Sequence, residues 1–493
     1  MAEGALDVVR TVRTEPQQSR TQPTSTGAVL QRRGWTGLRL RIGFDRGTLL
    51  LEGPPRHECL SDLPGVRWDH RVACHRAPAT FYTRIIARLH ALGVPFDDDV
   101  LALHAGCSIA SVPDLRPYQA AAIDAWTLAG RRGIVVLPTG SGKTHVAMSA
   151  IAALGASTLC LVPTRILLDQ WQRALRRWLG IEIGCYGDGL RVAGPVTVAT
   201  FESAWRHMHE LGNRYELLVV DEAHHFGSGA RDEVLEMSTA AYRLGLTATP
   251  QQGRAAANLV DLIGPLVFEL GIADLAGTFL ADFELVDLHL DLTREEREAY
   301  EAARRTFLTA HRHYRELAPG ASWNDFLRWA ARTPQGRAAV RAWHEARSVL
   351  SLTRAKREVL GSLLRRHRDS RVLVFTAGKE AAYRIAREHL IMPITADIGR
   401  RERDEMMTAF REGRIRALVS ARVLNEGFDV PSAEVGIIVG GALGEREHVQ
   451  RVGRLLRPAE GKRAVVYELV TRDTVEVPQA RRRKRGLLRA RQV

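Results

Sequence analysis

The chain has 493 residues, 45% of them hydrophobic and 26% charged, with a net charge of +14 and five scattered cysteines. That composition suits a globular protein of two to four domains, at about 100–200 residues each. It argues against a membrane-spanning or secreted chain: no apolar run nears the roughly 20 residues that cross a bilayer, the N-terminus has no apolar leader core, and the few cysteines suit a reducing cytosol better than a disulfide scaffold.

Most of the basicity sits at the ends. Residues 481–493 hold six arginines and Lys484 without an acid, a charge of +7, and residues 1–40 contribute +3, which leaves +4 for the body. Such ends either lean on phosphate without reading sequence or are simply solvated. Of the 70 basic residues only five are lysine: Lys143, Lys356, Lys379, Lys462 and Lys484. In a chain this committed to arginine, a single arginine says little and a lysine is a departure. Lys143 matters most.

Taken in chain order, residues 1–35 are rich in Thr, Gln, Ser and Pro without hydrophobic periodicity, and read as a disordered basic tail. LRLRIGF, DRG and TLLLEG (38–53) predict a hairpin. The apolar spacing of 79–93 predicts a helix ending at Gly93, so 36–110 reads as a small α+β domain. From 111 to 285, short β-rich runs alternate with helical stretches, the pattern of a parallel sheet covered on both faces. Residues 286–368 read as a wholly helical, Arg/Glu-rich insert. The alternation resumes over 369–475 with RVLVFTA, IRALVSA, AEVGIIVG and AVVYELV, and 476–493 reads as a second basic tail.

The sharpest local signal is IVVLPTGSGKT (134–144), a hydrophobic strand running into a Gly-rich turn and then a helix. Leu137 stands where the general pattern has its first glycine, so the match lies in the second half, from Pro138 and Thr139 through Gly140, Ser141 and Gly142. The glycines let backbone N–H groups wrap phosphate, and the helix N-terminus adds its positive end. Lys143 can reach the β- and γ-phosphates of ATP, while Thr144 can hold magnesium. A second strand, LLVV (217–220), ends in Asp221-Glu222-Ala223-His224. There Asp221 suits the magnesium shell and Glu222 the attacking water.

DEAH in this setting is the signature of superfamily 2 helicases, and further segments resemble that family's elements in order. Arg116-Pro117-Tyr118-Gln119 resembles the adenine-reading element, with Gln119 as the base contact. LVPTRILLDQW, with Pro163, Thr164 and Arg165, and VTVATFES, with Thr200, resemble nucleic-acid-facing elements. Thr247-Ala248-Thr249-Pro250 resembles the element that couples ATP state to strand contacts. RVLVFTAG and VLNEGFDVP match in position in the second half, which adds Gly427 and Asp429 to the nucleotide set, and QRVGRLLRP brings Gln450, Arg454 and Arg457. On a helix Arg454 and Arg457, three apart, share a face. More than 300 residues beyond Lys143, they reach the γ-phosphate only if two domains close on it. Arginine fingers of this type are worth about 10³–10⁵ in rate; the bland reading is two surface arginines.

Within the superfamily, RGIVVLPTGSGKT, the DEAH segment and VGRLLRP most resemble XPB-type DNA repair helicases and their prokaryotic relatives. The resemblance implies two RecA-like α/β motor domains, a small α+β domain like the group's damage-recognition domain, and a helical insert like its thumb. It also implies an ATP- and magnesium-dependent DNA helicase or translocase, 3′-to-5′ in direction, serving repair, with DNA as partner and a nuclease partner conceivable. The expected location is cytoplasmic, in a prokaryotic cytosol or nucleoid. One departure stands out: after Pro250 the chain reads QQGRAAAN, where the group usually carries an Arg-Glu-Asp element implicated in unwinding. An RNA helicase, the motor of a restriction or defence complex, and a non-catalytic scaffold are the alternatives. His57, Cys59, Cys74 and His75 match no standard zinc spacing. His224 and His225 read as inter-domain contacts. Trp323, Phe326, Trp329 and Trp343 read as packing residues before base-stacking ones.

Overall fold

The computed structural model describes residues 39–53, 60, 62–106, 113–279, 282–395, 397–421, 433–440 and 463–488. They fall into two compact units, one running to Val136 and then over Gly142–Glu269, the other made of Leu137–Ser141 and the chain from Leu270 on.

The first unit opens with a five-stranded sheet. Strands β1 (Leu40–Asp45) and β2 (Thr48–Glu52) form the expected hairpin around Arg46-Gly47, both at positive φ, which is the backbone that a two-residue turn matching strand twist requires. A side chain on Gly47 would collide with Met237 of the following domain. With β3 (Arg67–Asp69), β4 (Cys74–Pro78) and β5 (Phe96–Asp99), the sheet order is β3-β4-β2-β1-β5. Helix α1 (Tyr82–Ala91) buries Tyr82, Ile85, Ile86 and Leu89 against Leu40, Ile42, Leu49 and Leu51. Backbone bonds from Ala102 to Asn213 and from His104 to Arg214, both 3.1 Å, tie this layer to the larger domain.

That domain is an α/β sheet of eight strands. They are β6 (Arg132–Val136), β7 (Thr158–Val162), β8 (Gly184–Gly187), β9 (Leu190–Val192), β10 (Val196–Thr200), β11 (Leu217–Asp221), β12 (Tyr242–Thr247) and β13 (Leu266–Glu269), in the order β13-β6-β12-β11-β7-β10-β8-β9. All pair in parallel except the β8–β9 hairpin at one edge. Strands β7, β10 and β11 are buried along their whole length, as a sheet covered on both faces demands. The covering helices are α2 (Pro117–Leu128), α3 (Lys143–Leu154), α4 (Arg165–Leu179), α5 (Phe201–Leu211) and α6 (Arg254–Leu262). Arg243, fully buried on β12, donates to the carbonyls of Leu235, Ser238, Ala240 and Leu262.

The second unit holds a six-stranded, all-parallel sheet of β14 (Asp282–Leu290), β15 (Val372–Thr376), β16 (Met392–Ile394), β17 (Ala417–Ala421), β18 (Val435–Ile438) and β19 (Arg463–Thr471), ordered β14-β19-β18-β15-β17-β16. Between β14 and β15 run α7 (Arg294–Leu317), α8 (Trp323–Arg332), α9 (Pro334–Ser351) and α10 (Arg354–Arg366). Capping boxes start α7 at Thr293–Glu296 and α8 at Ser322–Asp325. Leu360 and Leu363 of α10 pack into the core of the sheet. Helices α11 (Lys379–His389) and α12 (Arg400–Arg411) complete the layer.

Two expectations need correcting. The boundary drawn at 286 falls inside β14, an edge strand of the second sheet, because its pairing partner β19 lies some 180 residues further on. The segment 476–493 does not begin as a tail: helix α13 (Glu476–Leu488) is built into the second unit. Glu476 receives Lys356 Nζ at 2.8 Å on both oxygens, Arg483 Nε donates to Glu468 at 2.9 Å, and Lys484 meets Asp287. The aromatic residues of the insert mostly pack: Phe326 is buried against Phe307 and Tyr314, although Trp323 remains 40% exposed.

Candidate nucleotide site and its coupling chain

Strand β6 delivers the chain into the glycine turn, where Gly140 and Gly142 sit at φ +86° and +82°, the left-handed region that favours glycine. A Cβ on Gly142 would come within 2.6 Å of Gln119 Nε2. Ser141 Oγ donates to Pro138 O at 2.7 Å and fastens the turn on itself. Helix α3 begins at Lys143 behind an N-cap without a side chain, so its first N–H groups point back toward the turn.

Asp221 closes β11 at 6% exposure, held by Trp171 Nε1 at 3.0 Å and by the backbone N–H of Glu222 at 3.0 Å. Burial, with the charge of Glu222 second, pushes its carboxyl above the usual range, while the charge of Lys143 opposes that rise. Glu222 lies at φ +50°, strained backbone for a non-glycine residue. Its carboxylate is 3.4 Å from His224 Nδ1, which is 3.1 Å from Thr247 Oγ1. Thr247 Oγ1 in turn donates to Thr249 O at 3.0 Å, and Gln251 Nε2 donates to His224 O. A continuous polar chain therefore links the acidic pair to Thr247-Ala248-Thr249-Pro250.

Magnesium-bound nucleoside triphosphate fits these residues. The buried Thr139 hydroxyl has no hydrogen-bond partner among the described residues. The two adjacent carboxylates outnumber the lysine beside them, an imbalance that a divalent cation would relieve. Thr144, in the first turn of α3, and Asp221 would hold the cation.

Other expected site residues also make contacts within the fold. Gln119 is buried; its Oε1 accepts from Arg116 N at 2.9 Å and its Nε2 donates to Gly142 O at 3.4 Å. Thr164 caps α4 through Leu167 N, and Thr200 caps α5 through Ser203 N. Arg165, exposed after Pro163, pairs with Asp188 at 3.0 Å. Gln450, Arg454, Arg457, Gly427 and Asp429 lie outside the described residues, as do His57 and Cys59. His75 packs on the Trp68 ring at 4.9 Å. Two features were missed. Trp171 sits inside a motif without any spacing that marks it as the Asp221 donor. His224 joins Glu222 to Thr247 within one unit, a role that its place in the acidic motif could have suggested.

Three family models match in chain order: the Xeroderma pigmentosum group B helicase damage recognition domain over residues 42–100, the type III restriction enzyme res subunit over 113–252, and the helicase conserved C-terminal domain over 355–459. A DNA 3′-5′ translocase XPB2 of Sulfurisphaera tokodaii is 34% identical over 431 residues, 86% of this chain and 97% of that protein. The chain belongs to the XPB family of superfamily 2 helicases. A DNA 3′-5′ helicase XPB of Mycobacterium tuberculosis is 30% identical over 389 residues, and there the alignment spans 76% of this chain but only 63% of the longer relative. Among solved structures, the helicase domain of Pyrococcus furiosus Hef superposes with a TM-score of 0.52 at 18% identity, covering 74% of this chain and 97% of its own. That likeness supports the RecA-like fold of the two α/β sheets. Family membership implies the use of ATP. Among the described residues, no helix is long and apolar enough to cross a membrane.

Proposed function

We propose that the chain is an ATP-dependent DNA translocase of 3′-to-5′ direction, acting in DNA repair. The observation that carries the reading is the chain from Glu222 through His224 to Thr247 and Thr249, which connects the residue suited to water activation with the segment expected to sense the strand. The names of the relatives and the damage-recognition match at 42–100 supply DNA and repair.

In this mechanism the glycine turn and Lys143 bind the polyphosphate, with Pro138, Thr139 and Ser141 shaping the cradle. Thr144 and Asp221 would hold magnesium, which would supply positive charge beside the phosphates. Glu222 orients the attacking water. Arg116 and Gln119 read the base. By the family resemblance, Gln450, Arg454 and Arg457 are assigned to catalysis and Gly427 and Asp429 to nucleotide binding. Movement of Thr247 and Thr249 carries the hydrolytic state to Pro163, Thr164, Arg165 and Thr200 along the strand.

Translocation is assigned ahead of strand separation. The segment after Pro250 lacks the Arg-Glu-Asp element, and its Gln251 instead belongs to the coupling chain. Steady-state ATPase assays with magnesium, comparing no polymer, single-stranded DNA, duplex DNA and RNA, test the reading. DNA is expected to stimulate most. Preferential stimulation by RNA would overturn the DNA assignment, and no turnover under any condition would overturn the motor.

A further inference from the structure

Within the second unit lies a cavity of about 240 Å³ whose walls come from the helical insert, from the start of α13 and from the loop after β15. Arg304 and Phe307 of α7, Trp343 and Arg347 of α9, Gln479 of α13 and Ala377 just beyond β15 all face it. The space is smaller than the roughly 300–1,000 Å³ that hold drug-sized ligands, and it suits a single flat ring system. Its position is also that of a ligand site. Strand β15 lies inside the parallel sheet between β17 and β18, and ligands of open α/β sheets gather beyond the carboxyl ends of such strands.

The chemistry of the walls narrows the occupant. Two guanidinium groups face one acid, Glu476, and that acid already has Lys356 Nζ at 2.8 Å from each oxygen. The charged residues of the lining are thus two guanidinium groups and one carboxylate. Arg347 lies over the ring of Trp343 at 4.5 Å, and Trp343 stands 5.5 Å from Trp323, which is 40% exposed. The aromatic surface thus runs from the cavity out to solvent. Aromatic steps flanked by arginines are how single strands are gripped, each base using its π-face and the backbone its charge. An apolar peptide or a second copy of the chain would have no use for Arg304, Arg347 and the amide of Gln479 in one small space.

We propose that this cavity receives one unstacked base of a single DNA strand, with the flanking phosphates at Arg304 and Arg347 and the base edge at Gln479. The inference rests on the DNA-motor reading above and adds to it a contact that duplex DNA, with its bases paired and stacked, cannot make. Through that contact the insert tells single strands from duplex.

Single-stranded DNA carrying 5-iodouracil at one position, irradiated in complex with the full chain, is expected to crosslink to Trp343 or Phe307. Trp343→Leu should weaken single-strand binding by about five- to a hundredfold, the span of one lost base stack, and Arg304→Glu should weaken it as well by replacing a phosphate contact with a repelling charge. Duplex binding should change by less than about twofold for Trp343→Leu, because phosphate contacts dominate there. ATP turnover without DNA should stay at the level of the unaltered chain. Arg304 is exposed, so its variant keeps the test valid if the loss of Trp343 disturbs the insert. Crosslinks confined to other residues, or equal weakening of single-strand and duplex binding by Trp343→Leu, would overturn the proposal while leaving the motor intact. An unaltered chain that neither binds DNA nor responds to it would remove the motor reading itself.

Discussion

Asp221 and Glu222 at the end of β11, and the groups beneath helix α13, are both sites where charge is buried, yet the two are balanced differently. At β11 two carboxylates adjoin, and Asp221 is pushed upward by burial and by its neighbour, against the opposing charge of Lys143. Beneath α13 each acid meets a cation directly, Glu476 with Lys356 and Glu468 with Arg483, although burial still raises Glu468 and lowers Lys356. A closed pair holds elements in place and asks for nothing more. Two adjacent carboxylates instead offer negative charge that a divalent cation could use. The difference separates architecture from chemistry more cleanly than burial alone.

Removing one partner of a closed pair gives the largest expected effect. Arg483→Ala should cost about 3–5 kcal/mol, because Glu468 is left charged and buried, and should lower the thermal midpoint by roughly 10 °C. The double replacement Arg483→Met with Glu468→Leu should recover most of that loss. Calorimetry or denaturant titration of both variants checks the pair, and a single variant as stable as the parent would show that the pair is not a structural tie. Lys143→Ala should do the opposite. Turnover falls by about 10²–10³-fold, the effect of losing one preorganised charge contact, while the unfolding midpoint and DNA binding persist. Normal turnover would remove Lys143 from the site.

His224→Ala sharpens the comparison at lower energy. A hydrogen bond of this kind is worth about 1 kcal/mol, so DNA-stimulated turnover should fall about fivefold, and basal turnover should fall less. Equal loss with and without DNA would mean that His224 serves the chemistry and not the coupling.

The open site was far more legible than the closed one. Phosphate chemistry fixes residue spacing, so GSGKT and DEAH announce themselves over a few positions, and the Arg46-Gly47 turn does the same for the first hairpin. Lys356 and Glu476 are 120 residues apart, and β14 pairs with β19 across a still wider gap. No local pattern encodes such partners. The preference for arginine did hold a clue, since Lys356 and Lys484 are departures from it just as Lys143 is, and both lie in ion pairs of the second unit. Read singly, however, a lysine on a helix gives no sign of whether it faces phosphate, a carboxylate or water. Trp171 was hidden for the same reason, because only the folded sheet brings its indole to Asp221.

The smallest effect comes from α13 itself, where basic residues divide within a single turn. Arg481 and Arg482 are exposed, whereas Arg483 is buried on Glu468. Deleting the whole basic stretch from 481 would mix the two roles, since lost DNA affinity would be indistinguishable from a loosened second unit. Replacing Arg481 and Arg482 together by serine avoids this. If both lean on phosphate, the slope of log K against log salt should become shallower by up to about 2, at roughly 0.9 per duplex phosphate contact, with the unfolding midpoint unchanged. An unchanged slope would make Arg481 and Arg482 solvated residues of a structural helix. A shallower slope with a stable fold would show one helix serving both purposes, its inner face closing charge and its outer face offering it.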